Sequence, residues 1–151
     1  MDRLLGGLTP YLYGLMRFVV GLLFACHGAQ KLFGVLGGFG GQPGMSAPLF
    51  SLMGLAGLIE FFGGLLIAAG LLASYAAFIA SGEMAVVLFK VHFPKGFWPI
   101  LNSGELAVLY CFVFLYIAAQ GAGALSLERL LQRRRPTPME KAERHSSDLP
   151  S

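Results

Sequence analysis

The sequence predicts an all-α integral membrane protein: four transmembrane helices in one bundle, with the N- and C-termini cytoplasmic. Three observations predict it. Hydrophobic residues make up 56% of the 151-residue chain and charged residues only 13%, against about 45–50% and about 25% in ordinary soluble domains. The apolar residues gather in four runs, near 11–33, 50–72, 73–93 and 104–122. Each is close to the roughly 20 residues that carry a helix across about 30 Å of hydrocarbon. Finally, positive charge is lopsided: Arg129, Arg133, Arg134, Arg135, Lys141 and Arg144 lie at the C-terminal end, and only Arg3 precedes the first run. Four crossings return the chain to its starting side, and the Lys/Arg bias puts that side in the cytoplasm.

The first helix, about 11–33, is too long and lacks the small-residue cleavage site of a removed signal peptide. The segment Gly34–Pro48, GVLGGFGGQPGMSAP, is an uncharged glycine-rich loop, longer than the roughly 2–8 residues usual between packed helices. It is a functional cover or a loose connection. The second and third helices, about 50–72 and 73–93, form a tight antiparallel hairpin around Gly70–Ser74. A second outer loop, Phe93–Ser103, holds two prolines that break helix, with Phe97 and Trp98 suited to a membrane–water interface. The fourth helix is about 104–122. Residues 1–132 therefore form the transmembrane domain. Residues 133–151 form a polar, basic cytoplasmic tail expected to be disordered. The net charge of +3 belongs mainly to this end and is no nucleic-acid signal. Cys26 and Cys111 are isolated within apolar runs, so they read as spectator thiols, with neither a zinc site nor dithiol chemistry.

The apolar runs carry Arg17, His27, Lys31, Glu60, Glu83, Lys90 and Glu105. Ionisable groups in a membrane are costly, usually face the bundle interior and pair with one another. Arg17, Lys31 and Lys90 balance the three glutamates. His27 and Lys31, four apart, share a helix face. Glu83 and Lys90, seven apart, are expected to share another. Glu60 is flanked on its own face by Gly57 and Gly64, and small residues let a neighbouring helix approach. Glu60 and Glu83 are thus expected to point inward and meet Arg17, His27, Lys31 or Lys90. Plainer roles stand beside this one. The lysines can snorkel to the interface; His27 can bond a backbone carbonyl; Arg17 can pair with headgroups. Asn102-Ser103-Gly104-Glu105 reads as a capping box, and the buried charges can be purely structural ion pairs.

Four motifs in order resemble the DoxX family: Arg17-x3-Gly21-x6-Gly28-x2-Lys31-Leu32; Gly57-x2-Glu60-x2-Gly63-Gly64-x5-Gly70; His92-x3-Gly96-Phe97 followed by Gly104-Glu105; and Gly121-x-Gly123-x2-Ser126-Leu127-Glu128. The last has Glu128 where the family usually has aspartate, which keeps the charge. The resemblance covers about residues 10–132. It implies a small bacterial inner-membrane protein of a membrane redox system, with a quinone as the small molecule it handles and other membrane or redox-complex subunits as partners. The chain carries no haem, flavin, iron–sulfur or copper motif of its own, no evident covalently bound cofactor and no metal site. Electrons would then come from a partner or a soluble reductant. A quinone-interacting oxidoreductase subunit is the first functional expectation. A non-catalytic anchoring or assembly subunit is the second, and a proton or small-solute pathway ranks last.

Overall fold

A computed structural model describes residues 5–133. The tail expected beyond residue 132 lies outside the described residues, apart from Arg133. Among the described residues the chain is helical, with no strand. Helix α1 spans Thr9–Phe33, α2 Leu52–Ala69, α3 Ala73–Lys95, α4 Glu105–Gln120 and the short α5 Leu127–Arg133. Three of them, α1 to α3, are long and apolar enough to cross a membrane; α4 is apolar but has only 16 residues. At ~1.5 Å per residue α4 measures about 24 Å.

The helices pack in pairs. Helix α1 lies along α2, α3 lies along α4, and α2 meets α3 at the hairpin. Glycine makes the first pair possible. A Cβ on Gly28 would lie 2.2 Å from the Phe61 backbone nitrogen, and one on Gly21 2.5 Å from that of Ala68. Backbone touches backbone there, as small-residue membrane interfaces allow. The α3–α4 pair uses alanines instead: Ala73, Ala76, Ala77, Ala80 and Ala107 are all buried, and Ser81 Oγ donates to the Cys111 carbonyl at 2.8 Å. Helices α1 and α4 meet through aromatic rings, with Phe24 edge-on to Phe114 at 4.6 Å. Large apolar side chains such as Phe18, Leu22, Phe62, Phe78 and Phe112 are left exposed on the outside, as a lipid-facing surface requires.

Helix α2 begins at Ser51, whose side chain accepts from the Gly54 N–H at 3.1 Å, a standard N-cap. It ends at Gly70 in the left-handed conformation. There the Leu71 N–H reaches the Leu66 carbonyl and the Gly70 N–H the Ile67 carbonyl, the two bonds of a Schellman stop. The glycine-rich loop is tied to itself and to α1. Ala47 N–H donates to the Lys31 carbonyl at 2.7 Å, Gly44 N–H to Gly34, and Phe39 N–H to Met45.

Two expectations are corrected. Glu83 and Lys90 do not share a face: both Glu83 carboxyl oxygens are buried, whereas Lys90 is exposed. Lys90 lies inside a π turn, Leu88–His92, whose i→i+5 spacing departs from the uniform helix that a shared face assumes. The capping box does not form either. Ser103 sits at φ +60°, ending the single turn Pro99–Asn102. Asn102 then bonds within its own loop, accepting from Gly104 N–H at 2.8 Å and donating to the Gly96 carbonyl at 2.6 Å. Gly104 occupies the N-cap of α4, and Glu105 is exposed.

Candidate functional site

The polar residues of the helices separate into two groups, one beneath the two long loops and one at the hairpin end. In the first, Lys31 on the last turn of α1 donates to Glu60 Oε1 on α2, the one ion pair among the described residues. Glycine again brings them together. Gly57 lies one turn before Glu60, and a Cβ there would lie 3.1 Å from Lys31 Cβ. Glu60 is 3% exposed and sits in a π turn, Ile59–Gly63. Its Oε2, and both oxygens of Glu83, are buried without a hydrogen-bond partner among the described residues. Glu83 is on α3, which packs against the Ile59–Gly63 turn that carries Glu60.

Beside this cluster is a cavity of about 210 Å³, lined by Phe24, His27, Glu60, Met84, Val87, His92, Ser103, Leu106, Ala107 and Tyr110. Phe24, Glu60, Met84, Ala107 and Tyr110 form its buried floor, and His27, Ser103 and Leu106 its exposed rim. His27 stands edge-on to Tyr110 with ring centres 6.3 Å apart. His92 Nδ1 is 2.9 Å from the Asn102 carbonyl. A carbonyl can only accept, so Nδ1 carries the hydrogen and Nε2 is the nitrogen left for another partner.

At the other end Arg17 is 1% exposed and has no carboxylate partner among the described residues. Its Nη1 donates to the Ile67 carbonyl and, at 2.9 Å, to that of Ala68; its Nη2 donates to the Leu125 carbonyl at 2.5 Å. The last carbonyls of a helix lack intrahelical donors and carry the negative end of its dipole, so a buried guanidinium caps α2. Tyr13 Oη donates to Gly121 at 2.5 Å, and Glu128 N–H donates to Gly70 at 3.2 Å. Together these bonds fasten the α4–α5 loop beneath the hairpin.

Of the seven residues singled out in the sequence, the structure therefore brings together His27, Lys31, Glu60 and Glu83. Arg17 stands apart at the hairpin end, and Lys90 and Glu105 are exposed. Tyr110, Ser103 and the cavity-facing role of His92 are additions. His92 carried a signal, its place in the third motif. Tyr110 carried none, because one tyrosine in a run as apolar as α4 has the pattern of core packing.

No solved structure matches the chain. An uncharacterized protein of Haemophilus influenzae is 41% identical over 123 residues, covering 79% of this chain and 90% of the relative. The DoxX family model matches residues 13–93, which hold α1, the glycine-rich loop, α2 and nearly all of α3, and with them Arg17, His27, Lys31, Glu60, Glu83 and His92. On both grounds the chain belongs to the DoxX family.

Proposed function

We propose that this protein is a quinone-interacting subunit of a bacterial inner-membrane redox system, whose cavity receives the quinone headgroup. In this reading α4 completes a four-helix transmembrane bundle, residues 1–132 are its membrane domain, and both termini face the cytoplasm. The single observation that carries the proposal is Glu60. It is a membrane carboxylate held by Lys31 through one oxygen, with the other buried and, among the described residues, unpartnered at the wall of an aromatic cavity. An intramembrane ionisable group is costly and marks function by default.

The residues fit a quinone headgroup. Phe24 and Tyr110 offer ring faces and edges, Glu60 offers an acceptor, and His92 offers Nε2. Pockets that enclose a drug-sized ligand run to about 300–1,000 Å³. A cavity of about 210 Å³ suits a ring, leaving an isoprenoid chain in the lipid. A bound quinone supplies two-electron chemistry with uptake of two protons, the electrons coming from a partner subunit or a soluble reductant. The protein's part is to hold the ring and keep exchangeable protons beside it, with Glu60, Glu83, His27 and His92 within the same end of the bundle.

Titration of the purified full chain with a short-chain quinone and its quinol tests this. Both forms bind, and Glu60→Gln weakens the quinol at least tenfold, because a neutral amide replaces a charged acceptor whose hydrogen bond contributes about 1.5–3 kcal/mol. Binding of neither form overturns the proposal. The second reading, an accessory anchoring subunit, draws on Arg17, whose hydrogen bonds all go to holding the fold. It expects Glu60→Gln to change assembly or abundance while quinol affinity stays the same.

A further inference from the structure

We infer that Lys31, Glu60 and Glu83 form a proton store that holds one proton between its two carboxyl groups at neutral pH. The charges of these three groups do not balance. Fully ionised, the three groups sum to one uncompensated negative charge. Lys31 engages one of the four carboxyl oxygens, and the other three are buried without a hydrogen-bond donor among the described residues. A buried charge without a partner is far costlier than a paired one, and such sites neutralise instead.

His27, which lines the same cavity as Glu60, is the surrounding group that could add positive charge, and it does so from the exposed rim. From α1, Lys31 is already committed, and His27 lies at the exposed rim with its ring against Tyr110. From α4 comes Tyr110, a phenol, which carries no positive charge. On α3 itself, Lys90 is exposed within the π turn, and His92 is fixed to the Asn102 carbonyl. A proton balances the count with no further ligand.

This inference does not depend on a quinone. It adds to the proposed function a dischargeable proton at the cavity wall, which a rigid ion pair would lack.

The count gives a signature that infrared difference spectroscopy reads in the full chain reconstituted in lipid at neutral pH. The protonated carboxylic C=O band, taken as a difference between variants so that other carboxyl groups cancel, reports the stored proton. Glu83→Gln removes one equivalent of this band. Glu60→Gln removes one equivalent too, because Lys31 and the remaining glutamate then form a neutral pair. Lys31→Met doubles the wild-type band. The Glu→Gln variants keep the side-chain shape, so they carry the test if Lys31→Met does not fold. Wild-type protein lacking the band, whether because His27 is charged or because an ion sits in the cluster, overturns the inference. So does a band that Glu83→Gln and Glu60→Gln both leave in place.

Discussion

Arg17→Met lowers the stability of the folded protein by about 3–5 kcal/mol, the range for stripping a buried charged group from its partners. Its guanidinium donates to Ile67, Ala68 and Leu125, and hydrogen bonds to charged groups contribute about 1.5–3 kcal/mol each, with neighbouring bonds not adding fully. Methionine fills the space but leaves the Ala68 and Leu125 carbonyls without the donor they have now, while Ile67 keeps only the Gly70 N–H. A Cβ on Gly70 would come within 2.7 Å of Nη2, which measures how closely the hairpin turn closes over the group. Arg17→Lys recovers only part of the loss, because one ammonium cannot serve carbonyls on both sides as a planar fork does. Thermal unfolding in mild detergent, with the monodisperse fraction at each temperature, checks both variants. The cavity is at the other end of α1, so quinol affinity of the protein that remains folded stays at the wild-type value.

Lys31→Met is the second large effect, also about 3–5 kcal/mol, because it leaves Glu60 and Glu83 buried together without a cation. The test of mechanism is the double change. Glu60→Gln added to Lys31→Met removes the orphaned partner, leaving one carboxyl that takes up a proton, and most of the lost stability returns. Two independent packing defects would instead add. A double-mutant cycle on unfolding in detergent separates these outcomes.

The helices were legible because hydropathy and length are local properties, and lipid requires each crossing segment to satisfy its own backbone. The inward turn of Glu60 was legible for a related reason: Gly57 and Gly64 mark the face where a neighbour comes close. Pairing was less legible. A charge balance says that Glu60 needs a cation, and the shared face of His27 and Lys31 says which residues point together. It does not say that Arg17 has gone to carbonyl oxygens, because backbone acceptors leave no mark in a sequence. Lys90 was misplaced because a seven-residue spacing assumes a uniform helix, and the π turn at Leu88–His92 breaks that assumption. The second π turn, Ile59–Gly63, is equally silent in the sequence, though it carries Glu60. The DoxX-like motifs prove to be of two kinds. Arg17, Gly70, Gly121, Gly123, Ser126 and Glu128 build the hairpin end, where Ser126 Oγ accepts from the Arg129 N–H. Gly28, Lys31, Gly57, Glu60, His92 and Gly104 gather at the cavity end.

The central claim is that the cavity between His27 and Tyr110 holds a quinone ring, and photolabelling tests it most directly. A photoreactive short-chain quinone is irradiated with the full chain in bilayer nanodiscs, and adducts are mapped by mass spectrometry. Adducts are expected on the segments carrying Phe24–His27 and Leu106–Tyr110, suppressed by excess unlabelled quinone and reduced in Glu60→Gln. Adducts spread over lipid-facing Phe18, Leu22 and Phe62, with no suppression by competitor, would contradict it.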